Sequence, residues 1–162
     1  MSLAARLLLA PYLLGAFVNS RLWTRHDPAP REVVDGVWIG RLPSRREACS
    51  QPFAAIIDVS AELPRMGRAA RYHALPMLDL TTPEAGWLTA AADRIERSRR
   101  DGPVLVACAL GYSRSAAAVA CWSLRSGRHA GVDQAIDAIR RVRPRIVLDA
   151  AARAAIDAAA RK

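Results

Sequence analysis

Lysine is almost missing from this chain: of its 24 basic residues only Lys162 is not an arginine. The net charge of +9 therefore rides on arginine, which beside abundant alanine suits GC-rich coding better than a basic patch shaped for nucleic acid. No nucleic-acid-binding motif or aromatic-studded basic strand is present, so nucleic acid is not an expected partner. The charge would still attract phosphorylated, acidic substrates and anionic surfaces. Cysteine and histidine are equally sparse. Cys49, Cys108 and Cys121 do not make a disulfide set, which points to a reducing compartment, the cytoplasm. Three scattered histidines offer no Cys/His spacing for zinc, and no metal or other cofactor is expected. Internal repeats and low-complexity tracts are absent, apart from alanine-rich stretches.

Long apolar runs are missing as well. The longest apolar stretch without a charge, Leu7 to Val18, has twelve residues, and widening it to Leu3–Trp23 takes in Arg6, Asn19, Ser20 and Arg21. That length is marginal for a membrane span. Three readings stay open: association with a membrane through residues 3–23, a cleaved signal, or a helix packed on the domain. Val18-Asn19-Ser20 is a poor cleavage site, whereas Trp23 and the flanking arginines suit an interface. Thr24 to Arg31, with Pro28 and Pro30, reads as a linker. The chain thus divides into an N-terminal segment and linker, 1–31, and one domain, 32–162. Its 52% hydrophobic content excludes general disorder.

Strand and helix patterns alternate, which predicts an α/β fold: a central mixed sheet of four or five strands flanked by helices. Strands are expected at Val37–Gly40, Ala54–Val59, Tyr72–Leu75 and Val104–Ala107. Helices are expected near Glu84–Arg99, Ser113–Ser126, Val132–Val142 and Asp149–Ala160. In the third of these, Val132, Ala135, Ile136, Ile139 and Val142 form an apolar stripe that belongs to the core. Cys49 falls in a polar connecting segment and Cys121 on a packed helix.

The chemistry concentrates at Cys108-Ala109-Leu110-Gly111-Tyr112-Ser113-Arg114-Ser115. Gly102-Pro103 turns the chain into the β-branched run Val104–Val106, so Cys108 ends a strand, and a helical pattern follows Ser113. A loop feeding a helix N-terminus presents unpaired N–H groups and the positive end of the helix dipole to an anion. Cysteine attacks as the thiolate, which such a site and a nearby cation both favour. Arg114 is that cation, and its planar fork can hold two phosphoryl oxygens. Gly111 lets the backbone aim amides inward, so Ala109, Leu110, Gly111, Tyr112, Ser113 and Arg114 become the expected phosphate cradle. Ser115 can donate a hydrogen bond to the departing sulfur. The Cys-x5-Arg spacing alone is a weak motif; strand, glycine, flanking serines and helix together strengthen it.

This segment resembles the cysteine-dependent protein phosphatases, most closely their small dual-specificity branch. The resemblance extends over residues 33–148, through Val37-Trp38-Ile39-Gly40-Arg41-Leu42-Pro43, Phe53–Val59, Cys121-Trp122-Ser123-Leu124 and Ala135–Pro144. It implies a general-acid aspartate on a loop about thirty residues before the cysteine. Asp79, 29 residues before Cys108, fits that place and precedes Thr81-Thr82-Pro83-Glu84, which reads as a threonine-capped helix start. Asp58 lies nearer the middle of a strand. Two departures stand out. The family's histidine before the nucleophile is Ala107 here, and Arg145-Ile146-Val147-Leu148 lacks the usual Pro-Asn pair.

The resemblance implies phosphomonoester hydrolysis through a phosphocysteine, on phosphotyrosine and also phosphoserine or phosphothreonine of proteins. A membrane-associated lipid phosphatase acting on phosphatidylglycerophosphate or phosphoinositides is the alternative. The lack of a basic residue between Cys108 and Arg114 favours protein or aryl phosphate. Ala107 keeps open a catalytically weak phosphate-binding module. Arg65, Arg68 and Arg71 either approach the pocket mouth or form a solvated face.

Overall fold

The computed structural model describes residues 8–50, 53–63 and 71–161. Five strands form one mixed sheet: β1 (Arg31–Val34), β2 (Val37–Arg41), β3 (Ala55–Ser60), β4 (Tyr72–Met77) and β5 (Val104–Cys108), in the order β1-β2-β5-β3-β4. Only β1 runs antiparallel to its neighbour; β2, β5, β3 and β4 pair in parallel. This is the expected sheet, with β1 added at its edge. Residue Arg31, read as the end of a linker, instead opens that strand. The Asp35-Gly36 pair, at φ of 50° and 75°, makes the tight turn joining β1 to β2.

Helices cover both faces. α1 (Ala10–Trp23) and the short α2 (Arg45–Ser50) lie on one. On the other lie α3 (Ala85–Ser98), α4 (Arg114–Arg125), α5 (Val132–Val142) and α6 (Ala150–Ala160). A central parallel strand buried on both sides reads as an unbroken apolar run, and β5 is wholly buried. Its side chains alternate: Val104, Val106 and Cys108 face the four-helix layer, Leu105 and Ala107 face α1 and α2. The same alternation fixes which side of the sheet receives the nucleophile.

Two local expectations need correcting. Cys49 sits on α2, not in an irregular connection, and is exposed. Helix α3 has no threonine cap: Glu84 occupies its extended N-cap without a side-chain bond, and Thr81 donates to Leu78 O, 3.2 Å. Pro83 accounts for this, because a residue before proline is pushed from the helical region. At the N-terminus, no helix among the described residues is long and apolar enough to cross a membrane. Residues 3–7 lie outside the described part. From Ala10 onward the segment packs on the domain, with Ala16 and Phe17 against Leu42, Leu105, Ala107 and Ala109. α6, by contrast, is capped as its sequence suggests: Asp149 accepts from the Ala152 amide at 2.7 Å.

Candidate active site

Cys108 ends β5 between β2 and β3, and the chain from it turns into α4. Its thiol is buried, receives the Gly111 amide at 3.2 Å and lies 3.4 Å from the Ser115 hydroxyl. Gly111 has φ +74°, and a Cβ there would lie 2.4 Å from the Gly40 carbonyl carbon. Only glycine permits both the left-handed turn and this approach of the loop to β2.

Every carbonyl from Cys108 to Ser113 accepts a hydrogen bond from outside the loop. Leu42 N–H donates to Cys108 O (2.7 Å), Ser20 Oγ to Ala109 O (2.6 Å), and the Val147 amide to Tyr112 O (2.9 Å). Arg143 Nη2 donates to Leu110 O (3.1 Å), its Nε to Gly111 O (2.7 Å), and Ala117 N–H to Ser113 O (2.8 Å). A trans peptide sets each N–H opposite the preceding carbonyl, so holding the carbonyls outward turns the amides inward. The result is a concave set of donors above Cys108, continued by the N-terminus of α4.

Arg114, the first residue of α4, is buried. Glu62 accepts from Nη1 at 2.6 Å and from Nη2 at 2.5 Å, and Met77 O accepts from Nη1 at 3.0 Å. Asp79 reaches Nη2 at 3.2 Å from a half-exposed position. Arg114 Nε is buried without a partner among the described residues. A buried unmet donor is costly unless something supplies an acceptor, and a phosphoryl oxygen would do so. Burial works to lower the Arg114 pKa, but Glu62, Cys108 and Asp79 outweigh it and raise it. Glu62, which burial alone would push up, is held below its ordinary value by hydrogen bonds and charge from Arg114.

These groups line a cavity of about 830 Å³. Asp79, Cys108 and Arg114 meet there with Leu110, Tyr112 and Ser113, and exposed Trp23, Leu80 and Val147 border it. Leu80, wholly exposed with φ +57°, places the loop carrying Asp79 in a strained backbone region.

Cys108, Ser115, Arg114, the loop residues and Asp79 thus lie together. Asp58 does not join them. It is buried in β3, bonded to Ser60 and Tyr72, and burial raises its pKa. Arg71 pairs with Asp101, whereas Arg65 and Arg68 lie outside the described residues. Cys121 is buried in α4, and burial pushes its thiol to about 11. Among the described residues no cluster of His, Cys, Asp and Glu could hold a metal ion.

Sequence reasoning misses Glu62, Ser20 and Arg143. Glu62 lies 52 positions before Arg114 with no local signal. Arg143 has a signal of position only, in the Arg-Pro at the end of α5. It is wholly buried, pairs with Asp27 at 3.3 Å and sits 5.0 Å from the centre of the Tyr112 ring.

Solved structures share this architecture. Tk-PTP in its active form matches with a TM-score of 0.72 at 22% identity, over 84% of this chain and 99% of that one. PTPMT1 matches at 0.71 and 17%, over 82% and 94%. Human DUSP28 matches at 0.68 and 19%, over 83% and 94%. No curated protein matches the chain. Residues 39–159 match the catalytic domain of the dual specificity phosphatases. With Cys108 at the end of β5, receiving a loop amide and sharing one cavity with Arg114, the chain belongs to the dual specificity phosphatase family and is a cysteine-dependent phosphatase.

Proposed function

We propose that the protein hydrolyses phosphomonoesters in two steps, with Cys108 as nucleophile and Asp79 as general acid. The observation that carries this reading is the buried Arg114, fixed by Glu62 with Nε unmatched, beside a sulfur that receives a loop amide. The Cys108 thiolate attacks phosphorus and forms the P–S bond. Asp79 gives its proton to the ester oxygen as the P–O bond breaks and the alcohol leaves. A water then attacks the phosphocysteine and passes its proton to the Asp79 carboxylate. The sulfur departs with Ser115 Oγ donating to it, and inorganic phosphate is released. Arg114 and the amides of residues 109–114 hold the three equatorial oxygens throughout.

The substrate is a single phosphate on an apolar carrier, phosphotyrosine of proteins first and phosphoserine or phosphothreonine after it. Between Cys108 and Arg114 the loop has no cation, and Leu80, Leu110, Tyr112 and Val147 give the cavity apolar walls suited to an aryl ring. The three free cysteines fit a reducing, cytoplasmic setting.

A second reading, a phospholipid drawn from a membrane surface, is favoured by the rim. Trp23, Leu80 and Val147 are exposed by 64%, 100% and 66%, with Arg25 and Arg145 beside Trp23. Leu14, Val18 and Leu22 continue the apolar surface along α1. PTPMT1 was solved in complex with PI(5)P.

Phosphate release from an aryl phosphate, phosphotyrosine and phosphoserine peptides, and phosphatidylglycerophosphate in micelles separates these readings. Release fastest from phosphotyrosine peptides supports the first. Release confined to the micellar lipid transfers the assignment to the second. No release from any of them, by folded protein that still binds phosphate, would leave a phosphate-binding module.

A further inference from the structure

We propose that Ser20 of α1 is a positioning residue for the phosphate-binding loop, which makes the N-terminal helix part of the active site. The inference deepens the phosphatase reading and rests on it. Ser20 lies outside the matched region, which starts at residue 39. Yet its side chain is wholly buried, and its hydroxyl donates to Ala109 O at 2.6 Å across 89 residues of chain.

The contact follows from the small residues on this face of the loop. Ala107 and Ala109 turn toward α1 and pack with Leu42, Ala16 and Phe17. Neither projects beyond a methyl group, so the helix comes close enough for a serine to reach the loop backbone. Ala107 has no polar atom with which to meet the carbonyl two residues on; Ser20 supplies the donor from another element. Three more contacts lie at this end of α1 and in the segment after it. Thr24 Oγ1 donates to Ser20 O at 2.7 Å, Arg21 donates to Leu42 O at 3.1 Å, and the segment after α1 returns to Arg143 through Asp27 and Ala29 O.

The consequence is specific. Ala109 O and the Leu110 N–H are two ends of one peptide plane, so the hydroxyl that holds the oxygen outward also aims that amide at the anion. Without Ser20 the plane is free to rotate and direct a carbonyl oxygen toward the phosphate. Catalysis that depends on preorganised donors loses rate when one is misaimed.

The test compares wild type with Ser20→Ala in the full chain, using the ratio of Cys108 alkylation rates by iodoacetate and iodoacetamide. The modified peptide is followed by mass spectrometry. Both reagents react with the same thiolate, and only the anionic one is drawn by the loop amides, so the ratio reads the cradle itself. It needs no turnover and therefore remains informative if the hydrolase assignment fails. The ratio in Ser20→Ala should fall by roughly tenfold, with a matching loss in kcat/KM for an aryl phosphate. Thr24→Val, which disturbs the same buried end of α1 without touching the loop, should keep the wild-type ratio. An unchanged ratio in Ser20→Ala, or an equal fall in Thr24→Val, would overturn the proposal.

Discussion

Glu62 and Arg114 form a two-pronged ion pair: the two guanidinium terminal nitrogens lie 2.6 Å and 2.5 Å from the two carboxylate oxygens. Glu62 is 14% exposed on its side chain and Arg114 is 4% exposed, so the pair is shielded from water. Both planes are fixed by this fork, and the Nε edge of Arg114 is left for a ligand.

Replacing Glu62 with Gln should cost about 2 kcal/mol at pH 7, because a buried guanidinium loses its main charge partner while keeping Met77 O and Asp79. The Glu62 pKa is lowered in the folded protein, where burial is outweighed by Arg114. Its stabilisation is therefore complete above the unfolded carboxylate value and is lost as pH falls through the lower folded value. Thermal unfolding of wild type and Glu62→Gln between neutral and acid pH checks this. The difference in Tm should shrink on acidification; a difference that grows would contradict the pairing.

Asp79→Asn should separate substrates by leaving group. A nitrophenolate leaves without a proton, whereas an alkyl alkoxide needs one, so kcat/KM, which stops at P–O cleavage, should fall by about 100-fold for alkyl phosphates and far less for p-nitrophenyl phosphate. Because the Asp79 side chain is 50% exposed, its pairing with Arg114 should add little to stability, and Tm should stay near wild type. Steady-state kinetics on an aryl and alkyl series decides the matter: an equal loss of kcat/KM across the series would remove Asp79 from the acid role.

Two glycines make a matched comparison. Gly111 and Gly127 have φ of +74° and +71°, but a Cβ at Gly127 meets nothing within 4 Å while one at Gly111 would lie 2.6 Å from the Arg41 nitrogen. Gly127→Ala should cost about 1 kcal/mol from backbone strain alone. Gly111→Ala should cost about 3 kcal/mol or more, and should abolish competitive inhibition by inorganic phosphate. Denaturant unfolding and phosphate inhibition read the two effects separately. Equal costs would mean that the loop does not press on β2.

What the sequence reveals about this site depends on how far apart the partners lie. Val104–Val106, Cys108, Gly111 and Arg114 are neighbours in the chain, and the change from strand to helix period across them exposes the loop. Asp79 is found through family resemblance and spacing. Glu62 and Ser20 meet the loop from 52 and 89 residues away and carry no periodic signal. Strand β1 is obscured by the prolines before it; the signal that could have shown it is Asp35-Gly36, a hairpin-turn pair that sits at two positive φ values in the structure. Helix α1 is ambiguous for a physical reason: its apolar residues are spread around it rather than gathered on one face, so its composition suits a membrane surface and a packed face equally. Arg143 illustrates the converse. Its place in an Arg-Pro pair is visible, but its role as donor to Leu110 O and Gly111 O is not.

The central claim is that phosphorus passes through the sulfur of Cys108. Rapid acid quench of the enzyme with a labelled aryl phosphate, followed by peptide mapping, tests it most directly. Wild type should carry label on the Cys108 peptide, and Cys108→Ser should stay folded while showing neither label nor turnover. Label on another residue, or undiminished phosphate release by Cys108→Ser, would contradict the account.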